Sequence, residues 1–152
     1  MKPRPDTVRA GFTIVELILA VAVLAILVSI VVPSVSWDTM GKVQAETAGR
    51  QFGNYLKLAR SLAITNAGTN SNGYKIVLSG DFTSYSIIND NTSETVKGPI
   101  DIPEGVTCSG DSEFHFTTLG QLDSGSTSTL QFSKAGDTTT ATVTPIGRIT
   151  IE

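Results

Sequence analysis

The residues able to do chemistry are few, and one of them stands in an unlikely place. In "GFTIVELIL", residues 11–19, Glu16 puts a carboxylate into the most apolar stretch of the chain. From Leu17 to Val32 there is no charge, and Ser29 is the only polar side chain. A charge at the centre of a membrane helix costs roughly 2.5–3.5 kcal/mol on insertion scales, and less near an end. Glu16 therefore needs a partner or an interface. An intramembrane proton relay fits poorly, because no second ionisable group lies in the run. Elsewhere Cys108 is the only cysteine and His115 the only histidine. No internal disulfide can form, and the zinc and His-dependent nucleophile patterns lack their other members. Cys108 reads as a small buried hydrophobe, with a reactive or intermolecular thiol as the alternative. "NDNTSE", residues 89–94, offers oxygen ligands but lacks EF-hand spacing and its glycine, so no calcium site follows. The residues imply no catalysis, no cofactor and no metal.

The elements that must position these residues fall into four zones. Residues 1–11, "MKPRPDTVRAG", carry Lys2, Arg4 and Arg9 against Asp6. Residues 12–33 form an almost wholly apolar run ending at Pro33. As a helix, residues 12–32 would extend about 32 Å, against a hydrocarbon core of about 30 Å. Basic residues precede the run and Asp38 follows it, which predicts one span with a cytoplasmic N-terminus and the remainder outside. Residues 34–67 continue as an amphipathic helix. Phe52, Tyr55, Leu56, Ala59, Leu62 and Ala63 recur at three- and four-residue spacing and form one stripe, with Lys57 and Arg60 off it. Pro33 would kink this helix without necessarily ending it, and Asn66-Ala67-Gly68 would stop it. Gly41, Gly49 and Gly53 each weaken it by about 1 kcal/mol relative to Ala. Such a helix needs packing to hold it.

Residues 68–152 change to Thr, Ser, Gly and short alternating runs. "YKIVL" (74–78) and "SYSII" (84–88) flank a turn and read as a hairpin. Further strands are predicted at 94–98, 113–116, 129–133, 140–144 and 147–151. Turn residues between them argue for antiparallel pairing. About 85 residues bury little on their own, so the stripe of the preceding helix supplies the missing layer. The predicted class is α+β: a long N-terminal helix, transmembrane in its first half, whose second half packs on a small antiparallel β-domain. An apolar fraction of 40% and a charged fraction of 16% exclude wholesale disorder. A net charge of −3 gives no general reason to expect nucleic acid or acidic lipid as partner.

"RAGFTIVELILAVAVLAILVSIVVP", residues 9–33, resembles the class III leader of type IV pilins and type II secretion pseudopilins. Glycine, aromatic residue, acid and uninterrupted apolar run all occur in register. The resemblance implies cleavage between Gly11 and Phe12 by a prepilin peptidase, N-methylation of Phe12, and Glu16 as the acid at the fifth mature position. It implies a bacterial inner-membrane precursor with a periplasmic C-terminal domain, joined after processing to other pilin or pseudopilin subunits. It also supplies a partner for Glu16. Cleavage creates a cationic amine at Phe12, and Glu16 in the first helical turn pairs with that amine, in its own chain or in a neighbour's, where the helix dipole also favours an anion. Glu16 merely snorkelling to the interface is the plainer alternative. A plain uncleaved anchor, and a secretory signal cut near Ser34-Val35-Ser36, are the competing readings of the whole segment.

The remainder is similar to the GspH/FimT group of minor pseudopilins and minor pilins. The similarity lies in "FGNYLKLARSLAITNA" (52–67), "FHFTTLGQL" (114–122), "STLQFS" (128–133) and "VTPIGRITIE" (143–152). It implies a structural or assembly subunit of a type II secretion pseudopilus or a type IV pilus. Some members of this group bind DNA through a basic Gly-Arg-x-Arg, which makes Arg148 a candidate DNA contact and DNA uptake the alternative function. Thr150 stands where the second arginine would be, and Lys134 and Arg148 are the only Lys or Arg after Lys97. Loss of the leader removes three basic residues and one acid and takes the net charge from −3 to −5, which leaves few cations to neutralise phosphates and argues against DNA as a partner. A membrane-anchored β-domain unrelated to filaments is the third reading.

Overall fold

The computed structural model describes residues 13–31 and 37–152. The leader, the Gly11-Phe12 junction, Pro33 and the Ser34-Val35-Ser36 segment fall outside the described residues. Two compact units divide at Ser36 and Trp37.

Helix α1, Ile14–Val31, belongs to the first unit. Its sequence is apolar on every side, so it has no hydrophobic stripe to choose a packing face, the pattern of a helix made to be surrounded. Its 18 residues extend about 27 Å. Among the described residues no helix is long and apolar enough to cross a membrane. The predicted span of residues 12–33 reaches beyond both ends of what is described.

The second unit is built on α2, Trp37–Thr65. After it come strands β1 (Tyr74–Leu78), β2 (Ser84–Asn89), β3 (Glu94–Asp101), β4 (Thr107–Gly110), β5 (Glu113–Phe116), β6 (Ser128–Lys134), β7 (Asp137–Val143) and β8 (Ile149–Ile151). They form two four-stranded sheets, β3-β2-β1-β5 and β4-β6-β7-β8, antiparallel at every pairing. Strict alternation in β1, with Tyr74, Ile76 and Leu78 buried, sets which face meets the helix. The α+β architecture is therefore as expected, a helix packed on a small antiparallel domain, but the strands divide between two sheets.

The α2 stripe is the shared core layer. Phe52, Leu56, Ala59 and Ala63 are fully buried, and Tyr55 and Leu62 flank them. Phe52 meets Tyr85, Phe114 and Phe132 at ring-centroid distances of 5.1, 5.4 and 5.5 Å, joining both sheets. Two of these contacts are edge-on, a geometry worth about 0.5–1.5 kcal/mol beyond burial. The three glycines of α2 have a purpose in this packing. A Cβ at Gly41, Gly49 or Gly53 would lie 2.6–2.8 Å from Ala135, Thr139 or Ile151. Their helix-weakening absence of a side chain lets α2 approach β7, β8 and the β6–β7 turn closely.

One strand, β4, is absent from the sequence reading, and several boundaries differ from it, β7 beginning at Asp137 where 140 is predicted. β4 lacks large alternating residues, yet it pairs in register with β6, Cys108 opposite Phe132. β3 runs on through Pro99 to Asp101, which an edge strand permits. β8 starts at Ile149, because the Gly147 N–H is engaged in a turn with the Thr144 carbonyl at 2.8 Å.

Candidate functional site

Two places hold the residues singled out by sequence, one in each unit. At the start of α1, Thr13 caps the helix. The Glu16 N–H donates to Thr13 Oγ1 at 3.2 Å, and the Leu17 N–H donates to the Thr13 carbonyl at 3.2 Å. Glu16 thus occupies the third helical position, inside the first turn, where the unpaired N–H groups and the helix dipole favour an anion. Thr13-Ile14-Val15-Glu16 matches the capping-box spacing, a signal present in the sequence and missed there. Its carboxylate is exposed on an otherwise apolar helix.

The second place is a junction of two turns at the C-terminal end of α2. In one turn Gly120 N–H donates to the Thr117 carbonyl and Thr117 N–H to the Gln121 carbonyl, both at 2.8 Å. The other turn spans Thr144 to Arg148. They are tied by the Leu122 N–H donating to the Pro145 carbonyl at 2.9 Å. Gly147 is buried against the first turn at φ 77°, and a Cβ there would lie 1.9 Å from the Gly120 carbonyl oxygen. Only glycine both adopts that backbone and admits that neighbour. Arg60 closes the junction from α2, its Nε–H donating to the same Gly120 carbonyl at 2.9 Å.

Three motifs far apart in sequence, Ala59-Arg60, Leu119-Gly120 and Gly147-Arg148, therefore meet at one point. The sequence reading placed Arg60 merely off the stripe. Its role was hidden because a hydrogen bond to a backbone carbonyl leaves no pattern in the partner residue. Arg148 is exposed, and its backbone is held by Thr144, whose N–H donates to its carbonyl at 2.9 Å and whose hydroxyl accepts from its N–H at 3.1 Å. The junction also presents Leu119 and Ile146, 75% and 67% exposed.

Cys108 lies half-buried on β4, and burial pushes its thiol up to about 11. That environment suppresses the thiolate and speaks against a reactive thiol. His115 is on β5, its Nε2–H donating to the Asn72 carbonyl at 2.6 Å, with Asp90 and Asp123 3.8 and 3.5 Å from its ring nitrogens. Lys75 reaches Asp90 at 2.8 Å, and this hydrogen bond raises the lysine and lowers the carboxyl from their ordinary ranges. In the 89–94 segment, the Asn89 side-chain oxygen accepts from Asn70 and from the Asn91 N–H, while Asp90 serves Lys75. Its best oxygens are spent on the fold. Among the described residues no group of three His, Cys, Asp or Glu is placed to hold a metal ion.

No protein-family model matches the chain, and no curated protein matches it by sequence. Its fold does match solved structures. The chain is similar to the type IV minor pilin FimU of Pseudomonas aeruginosa in two crystal forms. In the first, 71% of this chain and 87% of that one superpose with a TM-score of 0.59 at 17% identity. In the second, 70% and 90% superpose with a TM-score of 0.55 at 20% identity. At that identity the likeness establishes a shared fold.

Proposed function

We propose that this chain is a pilin-like structural subunit with no catalysis of its own. It is inserted in the bacterial inner membrane as a precursor, with its N-terminus in the cytoplasm. Prepilin peptidase cuts it between Gly11 and Phe12 and methylates Phe12. The mature subunit then leaves the bilayer for a type IV pilus or a type II secretion pseudopilus, where it meets other pilin subunits. The observation that carries this reading is the pairing of a minor-pilin fold with a preceding helix that is apolar on every side and bears a single acid at its start. A helix of that kind is stable only when surrounded, first by lipid and then by like helices. Glu16, three residues past the helix cap, pairs there with the Phe12 amine of a neighbour and fixes axial register.

The test compares membrane-bound and filament-bound pools of wild type and Glu16→Leu. Leu makes the run more apolar, so insertion holds or improves. Filament incorporation falls, because removing one partner of a buried ion pair costs about 3–5 kcal/mol. Normal incorporation along the filament would reduce Glu16 to a cap-adjacent acid. DNA capture is the second reading, and one observation favours it: Arg60 lies beside Gly147-Arg148, so the fold groups cations that the sequence scatters.

A further inference from the structure

Asn72-Gly73 is the only Asn-Gly pair in the chain. Asparagine before glycine is the dipeptide most open to self-modification, because no side chain shields the glycine nitrogen. That nitrogen can attack the asparagine Cγ and close a succinimide ring. Here the electrophile is ready and the nucleophile is withheld. The Asn72 side chain is exposed, and the Ser71 hydroxyl donates to its Oδ1 at 3.3 Å, which polarises Cγ. The Gly73 N–H donates instead to Asn70 Oδ1 at 2.9 Å, beside the Asn72 N–H at 3.1 Å. Asn70 is buried, and its orientation is fixed. Two N–H groups demand an acceptor at Oδ1, while Nδ2 donates to the Gly73 carbonyl at 2.7 Å and to Asn89 Oδ1 at 2.8 Å. The carbonyl of the Asn72–Gly73 peptide accepts from His115 Nε2 at 2.6 Å. That peptide is pinned at both ends, and its nitrogen cannot turn toward Cγ without leaving Asn70. Glycine is also required there. Gly73 is buried at φ 84°, and a Cβ would collide with the Phe116 carbonyl. Packing thus forces the vulnerable pair on the sequence, and Asn70 guards it.

We infer that Asn72 is a modification site held shut by the fold, and that local opening of the 66–73 turn lets it convert irreversibly to aspartate and isoaspartate. In that step hydroxide takes the Gly73 N–H proton, and the nitrogen bonds to Asn72 Cγ. The Cγ–Nδ2 bond breaks, Nδ2 recovers a proton from water, and ammonia leaves. Water then opens the ring. Cleavage at Cγ restores the backbone as aspartate, and cleavage at the main-chain carbonyl leaves isoaspartate, with the chain running through Cγ. Isoaspartate lengthens the backbone next to Gly73, where the Phe116 carbonyl leaves no room. Either product adds a carboxylate to a segment held by His115, which already faces Asp90 and Asp123. The corner between β1 and β5 cannot then close as before. A chain that has opened there stays marked. This chemistry is independent of the filament reading above.

The experiment follows the acid forms of residue 72 by peptide mass mapping. It uses the full chain in detergent and mildly alkaline buffer, with heavy-oxygen water as the label. Native chain should convert about a hundredfold more slowly than chain in concentrated urea. The same factor, within about threefold, should describe the protection of its Gly73 amide from hydrogen exchange. Asn70→Ala, shown to be folded by circular dichroism, should raise the native rate about tenfold or more. Gly68→Ala, whose added Cβ meets no atom within 4 Å, should leave it unchanged. Converted chain, separated by anion exchange, should melt at least about 4 °C below unconverted chain. Native conversion at the urea rate overturns the inference. So does a folded Asn70→Ala chain that converts as slowly as wild type, or converted chain that melts with the unconverted one. Should Asn70→Ala fail to fold, the wild-type comparison decides alone: agreement of conversion with Gly73 exchange within about threefold supports the inference, and a wider gap overturns it.

Discussion

Replacing Gly147 by Ala removes nothing and adds one methyl group, yet it should destabilise the folded domain by about 3–5 kcal/mol. The backbone there sits at φ 77°, a region that costs a residue with a Cβ about 1–2 kcal/mol. The new methyl would lie 1.9 Å from the Gly120 carbonyl oxygen, a backbone atom with no rotamer to escape into. The two turns must separate, and separation breaks the bond from Arg60 to Gly120. A hydrogen bond from a charged donor is worth about 1.5–3 kcal/mol. For a domain of this size the sum corresponds to a fall of about 12–20 °C in Tm. The assay is thermal and urea unfolding of residues 37–152, followed by circular dichroism, with two controls. A Cβ on Gly68 meets no atom within 4 Å, so Gly68→Ala should have little effect. Arg148→Ala, at an exposed side chain, should change stability by less than about 0.5 kcal/mol. A Gly147→Ala domain melting within about 2 °C of wild type, or an Arg148→Ala domain as unstable as Gly147→Ala, would refute the junction as described.

Leu56→Asp places an unpaired carboxylate in a fully buried site and should cost about 3–5 kcal/mol or prevent folding, read as loss of the unfolding transition. Cys108 should alkylate at pH 8 about a hundredfold more slowly in the folded domain than in urea, because its thiol is raised to about 11. The sign of the linked stability follows: the folded state holds the neutral thiol, so stability falls as pH rises from about 9 through 11. Cys108→Ser should lessen that loss, most clearly between about pH 9 and 10, below the range where the raised Tyr85 and Lys75 add the same sign, and alkylation at equal rates in both states would contradict it.

How much of this was legible beforehand depended on whether the cause was local. β1 and β5 were readable to the residue, because "YKIVL" and "EFHF" alternate large apolar side chains with polar ones. The α2 stripe was equally plain, since Phe52, Leu56, Ala59 and Ala63 repeat with the helical period. β4 was not, because "TCSG" has no alternation to read and owes its extended form to β6. Division of the strands into two sheets is set by pairings such as β1 with β5, across almost 40 residues, and no turn signal records them. The glycines of α2 were legible as a weakness but not as points of close approach, which depend on what faces them. At the candidate site, Glu16 was conspicuous as the lone charge in an apolar run. Arg60 was silent, since its partner is a backbone carbonyl 60 residues away.

The mass of the mature N-terminal peptide tests the filament-subunit proposal most directly. Chain recovered from membranes of a host with prepilin peptidase should begin at Phe12 and carry one extra methyl group on its amine. Gly11→Leu should leave the chain unprocessed, since a bulky side chain replaces the residue at the cut. A wild-type chain beginning at Trp37, or retaining Met1 in the presence of the peptidase, would contradict the proposal.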